Sequence, residues 1–289
     1  MPMRKTIVAL FAALVLSFVL TVSTQAQAPA QEKGGGQQQG GKGGKGGGGG
    51  KGKAALPAGP TPRTPEGKVI LGGEVAGKNG VWTPQIGITA PAAPLEGVKF
   101  QPWAKALYDE RQKNELEPHT RCKPSGVARQ FMTPYGVEFV EIGELGRIFI
   151  FDIGGPHTFR IIYTDGRSHP DHPSPSNYGH SIGWWEGDTL VVDTVGFNED
   201  FWLDRRGLPH TEQLHTVERF TRSDKNTIVY KLTVDDPGAY TAPFDGGFNL
   251  RYNENQELFE YVCQQANYAS ELMVGGETRV ISRSSPIVP

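Results

Sequence analysis

The sequence predicts an all-β fold, an antiparallel meander closed or half-closed into a barrel (calycin-like) with one short N-terminal helix. Three observations carry this expectation. Nine short runs rich in β-branched and aromatic residues follow one another from Val137 to Cys263. Turn-prone clusters separate them at hairpin spacing, as in Asp165-Gly166, Glu186-Gly187-Asp188 and Asp236-Pro237-Gly238. Where alternation is clearest, Ile228, Tyr230, Leu232 and Val234 fall on one face and Lys231, Thr233 and Asp235 on the other. A β-sandwich is the alternative.

The chain has 289 residues and a formal net charge of -2. Residues 1–53 hold seven Lys/Arg against one Glu, so the remainder carries -8, which argues against a basic nucleic-acid-binding surface on the folded part. Arg4 and Lys5 open a basic start, an uncharged apolar run of about 15 residues follows, and Thr24-Gln25-Ala26 is a small-x-small site. This is the layout of a signal peptide over residues 1–26. The run falls short of the roughly 20 residues a spanning helix needs, and no later stretch reads as transmembrane. Residues 27–63 are Gly/Lys-rich and then Pro-rich, too poor in apolar side chains to offset ordering entropy. They read as a disordered tether, whose lysines are placed for weak contact with an anionic envelope surface. Residues 64–289 read as one β-rich domain, and the location as periplasmic or secreted.

Within that domain, residues 64–100 look extended, as a strap across a sheet. Pro102 to Asn114 is the helix candidate: Pro starts it, Trp103, Ala106, Leu107 and Glu110 lie at helical spacing, and Pro118 follows. The predicted strands are Val137–Ile142, Arg147–Asp152, Thr158–Thr164, Ser181–Glu186, Thr189–Phe197, Leu214–Arg222, Thr227–Asp235, Phe248–Tyr252 and Leu258–Cys263. Cys122 and Cys263 are the only cysteines. In an exported chain two cysteines most simply form one disulfide.

Candidate chemistry gathers in one window. His169, His172, His180, His210 and His215 lie among Asp165, Arg167, Glu186, Asp188, Asp193, Asp204 and Glu218. Imidazoles with carboxylates suit general acid/base work near neutral pH, or a divalent metal, although the spacing matches no metal signature. His180, His210 and His215, partnered by Glu218 or Asp193, are the candidate catalytic groups. Alternation sends His215 and Glu218 to opposite faces of one strand unless a bulge intervenes. Trp184, Trp185, Trp202 and Tyr178, with Arg167, are the candidate lining of a ligand pocket. Trp184 and Trp185 are neighbours on a strand, so one is expected inward and the other outward. Gly179-His180-Ser181-Ile182-Gly183 has the spacing of a hydrolase nucleophile elbow, but a strand and hairpin follow it where the elbow needs a helix. No Gly-rich dinucleotide or phosphate loop is present. The cofactor is left unknown.

The strings Tyr163-Thr164-Asp165-Gly166-Arg167, His180-Ser181-Ile182-Gly183, Trp185-Glu186-Gly187-Asp188-Thr189-Leu190-Val191-Val192-Asp193-Thr194, Pro209-His210-Thr211, Leu214-His215, Glu218-Arg219 and Glu260-Tyr261-Val262-Cys263 resemble a large family of exported bacterial proteins. The resemblance covers roughly residues 100–265. It implies export and transfers no catalytic residue. The Gly-rich residues 153–158 and Ser174-Pro175-Ser176 depart from the pattern. Gly183-x-Trp185 at a hairpin start adds a faint similarity to calycin-type ligand-binding barrels. Three functions fit: an exported barrel binding a small apolar or glycosidic ligand; a hydrolase, lyase or isomerase on the same scaffold; and an envelope interaction module acting through the tether.

Overall fold

A computed structural model describes residues 59–75, 78–86, 92–115, 117–154, 158–254, 256–261 and 263. The expected signal peptide, and the tether as far as residue 58, lie outside them. The strands are β1 (Gly73–Val75), β2 (Lys78–Asn79), β3 (Val81–Pro84), β4 (Val137–Ile142), β5 (Arg147–Asp152), β6 (Thr158–Tyr163), β7 (His180–Glu186), β8 (Thr189–Val195), β9 (His215–Asp224), β10 (Thr227–Asp235) and β11 (Phe244–Asn253), with one α-helix, α1 (Pro102–Asn114). Strands β3 to β11 close a barrel in sequence order, with β3 against β11.

The barrel is a meander with one exception. β6 and β7 run parallel, while every other neighbouring pair is antiparallel. With nine strands, strict up-down alternation cannot close a ring, so one pair has to be parallel. The expected antiparallel meander is corrected at this seam. The region read as a strap supplies β3, a full member of the ring. The run Leu258–Cys263 forms no strand at its described positions. The free edge of β11 that it would have joined is already taken by β3. Its Phe259 and Tyr261 pack instead against Tyr135, with centroids 5.7 and 5.4 Å apart. Cys122 and Cys263 form a disulfide with Cα atoms 5.7 Å apart.

The alternation read in β10 holds: Ile228, Tyr230, Leu232 and Val234 are buried in the core. Phe131, from a short 3-10 turn, enters the same core and meets Tyr230 at 5.0 Å, Phe220 at 5.8 Å and Phe139 at 6.3 Å between centroids. A buried polar network crosses this interior. Arg160 of β6 donates to Ser181 Oγ (3.0 Å), to Thr194 Oγ1 (2.7 Å) and to the Glu218 carboxylate, and Tyr230 Oη donates to Glu218 at 2.9 Å. Arg160 is 1% exposed and Glu218 0%.

At the end of β9, the buried Arg222 guanidinium donates to the carbonyls of Ile70, Gly73 and Lys225 and lies over the rings of Trp82 (4.9 Å) and Tyr252 (5.6 Å). Gly59–Arg63 also touch the barrel: Thr61 Oγ1 donates to Arg222 O at 3.0 Å and Arg63 pairs with Asp188. Helix α1 keeps its expected bounds, but its buried face is Ala104 and Tyr108. Trp103 stays exposed because its indole N–H is held at 2.8 Å by Gly238 O.

Candidate functional site

The parallel seam positions the site. Its register covers only Ile162↔Ser181 and Tyr163↔Ile182. Before β7 the chain passes Pro170, Pro173 and Pro175, and proline has no N–H to offer a ladder. Ser176 bonds away from β6, its N–H to Gly196 O (3.1 Å) and its carbonyl to Asn198 N (3.0 Å). The strands therefore part and leave a cleft of about 360 Å³. Phe159, Ile161 and Tyr163 line one side and Ser176, Asn177, Tyr178, Gly179 and His180 the other, with Pro124 and Arg160. Gly179 sits at φ +60, where an added Cβ would come within 2.6 Å of Val195 O. Only glycine lets the chain pass this close to β8.

Beside the cleft, three strands contribute one outward-facing group each: His180 (β7), Asp193 (β8) and His215 (β9). His169, from the β6–β7 crossover, joins them. His169 Nδ1 lies 2.8 Å from His180 Nδ1, and His169 Nε2 lies 2.8 Å from Asp193 Oδ1. His215 Nε2 lies 2.8 Å from Asp193 Oδ2. The Tyr163 ring stacks on His180 at 5.1 Å between centroids, and the Arg167 guanidinium, paired with Asp165, lies over the Tyr163 ring at 4.0 Å from its centroid.

The electrostatics follow from these contacts. Burial, His169 and Arg167 hold His180 below the ordinary histidine value. The Asp193 hydrogen bond raises His215. Burial pushes the Asp193 carboxyl up, but hydrogen bonds from His215 and His169 outweigh it and leave it below the usual carboxylate range.

The structure brings His180, Asp193 and His215 together and separates the other candidates. Glu218 faces into the barrel, bound to Arg160. His210 is buried, with Nε2 2.9 Å from Phe201 O, and burial lowers its pKa to about 4. Ser181 is buried and bonded to Arg160 on a strand that no helix follows, so it forms no nucleophile elbow. Tyr178 lines the cleft, and Arg167 reaches its rim through Tyr163. Trp202 is buried under Arg111, whose guanidinium lies 5.0 Å from the ring centroid.

Trp184 and Trp185 are 43% and 38% exposed, so neither is buried in the core. β6 ends alongside Ile182, and past that point β7 has a neighbour only in β8. Trp185 lies in register with the core residue Leu190, yet stays part-exposed where no strand flanks it on its other side. Among the described residues, no group of three or more His, Cys, Asp or Glu side chains is arranged to hold a metal ion. His169 carries no sequence signal beyond its place in the histidine window, and Phe159 none beyond its strand. Outward alternation on β6 marks Phe159, Ile161 and Tyr163 as one face.

A second buried group backs the cleft. Tyr178 Oη is 2.8 Å from Thr158 Oγ1 and 3.4 Å from Asp152 Oδ2, and Ser125 Oγ is 2.8 Å from His119 Nδ1. Burial raises Asp152 to about 7 and lowers His119 to about 4. The linkage signs oppose each other. His119 and His210 take up protons on unfolding, so the stability they give is full above pH 6.5 and is lost as pH falls toward about 4. Asp152 keeps its proton when folded, so its contribution is full below 3.8 and is lost as pH rises through about 7. Asp152→Asn removes the opposing slope. We expect its unfolding free energy to fall more steeply than wild type between pH 6.5 and 4, as read by denaturant titration at each pH. Parallel pH profiles would contradict the assignment.

The chain matches no protein-family model, no curated protein and no solved structure.

Proposed function

We infer that the protein binds a small, flat, largely apolar molecule in the cleft at the β6–β7 seam. The observation that carries this reading is the cleft itself, which lies where the barrel's one parallel pair parts. Aromatic rings and a few convergent polar groups line it, the composition expected of a small-molecule site. Phe159, 53% exposed, offers a ring face at the mouth. Tyr178, His180 and Asn177 supply the polar contacts. The disulfide supports a place in an oxidising compartment outside the cytoplasm. No helix among the described residues is long and apolar enough to cross a membrane. Kinship with the exported bacterial family belongs to this reading and assigns no residue a role. Envelope contact through the basic tether is a separate proposal about residues outside the described ones.

The test uses 5-nitroindole, a flat neutral probe, titrated into the oxidised protein and followed by NMR shifts of the cleft residues. Saturable shifts confined to residues 159–163 and 176–180 are expected. Phe159→Ala, a change at the exposed mouth, is expected to weaken binding about tenfold, the scale of one lost aromatic contact. Unchanged affinity, or shifts centred on Trp184 and Trp185, would move the site elsewhere. Native mass spectrometry of the exported protein would add the mass of any co-purified ligand.

A further inference from the structure

We propose that the cleft is a proton-transfer site, in which His180 takes a proton from a bound ring molecule with a C–H next to a carbonyl or imine, and His169 and Asp193 carry the resulting charge. The proposal rests on the binding reading above and gives the site a reaction.

The hydrogen-bond chain fixes where the protons sit. A carboxylate can only accept, so both contacts at Asp193 are donated, by His169 Nε2–H and by His215 Nε2–H. A neutral His169 then has a lone pair on Nδ1, and its 2.8 Å neighbour, His180 Nδ1, must be the donor. His180 is therefore the Nδ1–H tautomer, with a bare, basic Nε2. His180 is among the residues that line the cleft.

The same chain says what happens when Nε2 gains a proton. The substrate C–H bond breaks and its electron pair passes into the adjacent C=O or C=N. The proton lands on His180 Nε2. The Nδ1 proton of His180 passes across the 2.8 Å contact to His169 Nδ1, and the positive charge comes to rest on His169, directly against the Asp193 carboxylate. Returning the proton to a different carbon completes an isomerisation; a leaving group departing with its electron pair completes an elimination, the histidine proton then passing to that group or to solvent. Neither needs a second reactant.

The groups facing His180 favour this division of labour. Burial and the Arg167 guanidinium disfavour a lasting charge on His180, and the Asp193 carboxylate, 2.8 Å from His169 Nε2, offers a charge on His169 a direct counter-ion. Asp193 is shared with His215, and Asp235 stands opposite His215 in the β9–β10 register, so the far end of the chain is rich in negative charge. Asp193 and His169 are positioning residues, and His180 is the catalytic one.

The test uses 5-nitrobenzisoxazole. This probe reports on the base alone: its C3–H is on the imine carbon, so loss of that proton to His180 turns C=N into C≡N, the N–O bond breaks with its electron pair leaving on oxygen, and a nitrile and a coloured phenolate form with no co-reactant. We expect saturable turnover by the oxidised protein, inhibited by 5-nitroindole, and a loss on the order of 100-fold in His180→Ala, the range of one general base. Asp193→Asn should keep 5-nitroindole binding but move the pH–rate midpoint down by about one unit, because the charge facing His169 is gone. Long-range proton–nitrogen NMR offers a readout independent of folding in any variant, and should show His180 protonated on Nδ1 in the wild type. A proton on Nε2 would overturn the proposal. So would 5-nitroindole binding with turnover equal in wild type and His180→Ala, which leaves the binding reading intact. Absence of 5-nitroindole binding would end both.

Discussion

Replacing Cys122 and Cys263 together by serine is expected to lower the unfolding free energy by about 5 kcal/mol, the loop-closure entropy of a crosslink this distant in sequence. The bridge spans 141 positions. It fastens the loop after α1, which leads into the plugging residue Phe131, to the segment that follows the last barrel strand. The cost therefore falls on the whole domain. Guanidinium titration of the oxidised protein against the double serine variant measures it. A difference below about 1 kcal/mol would mean that the two segments stay together in the unfolded chain without the bond. Reducing agent should reproduce the serine result in the wild type and do nothing to the variant.

The second large effect lies inside the barrel. Glu218→Ala is expected to cost about 3–5 kcal/mol, because it leaves the Arg160 guanidinium charged and buried. It also takes the acceptor from Tyr230 Oη. The informative comparison is Arg160→Met combined with Glu218→Leu. Removing both charges and refilling the space should recover most of the loss, since buried ion pairs often add little net stability over well-packed apolar residues. If the double variant is as unstable as the single one, the pair holds the barrel together in its own right and does more than satisfy itself.

Much of the barrel was legible because its signals are local. The Ile228–Val234 alternation, the Asp-Gly and Glu-Gly-Asp turns and the proline at the start of α1 each act over a few residues, and each names an element. β3 was not legible: Val81–Pro84 is short, sits among Gly and Pro, and is a strand only because β11 comes to lie beside it. The same long-range fact made Leu258–Cys263 a false strand, since its β propensity was real but no edge was free. The helix was placed correctly and turned wrongly, because a hydrogen bond from Trp103 to Gly238, far along the chain, set its roll. At the site, alternation sorted His215 from Glu218. It gave no sign that His169, on a proline-bracketed loop, would fold back to join His180 to Asp193.

The pairing of β3 with β11 also governs the order of events while the chain is made. Asn253 Nδ2 donates to Val81 O across 172 positions, so nearly the whole domain must emerge before the ring can close. Until then Val81–Pro84 waits with an open edge, and so does each newest strand at the growing end. Closure of so distant a pair is slow compared with the hairpins, which zip as they appear. The vulnerable species is thus a nearly complete sheet lacking its last strand, and a chain truncated before Phe244 would be held there, edges exposed, as a client for chaperones or proteases.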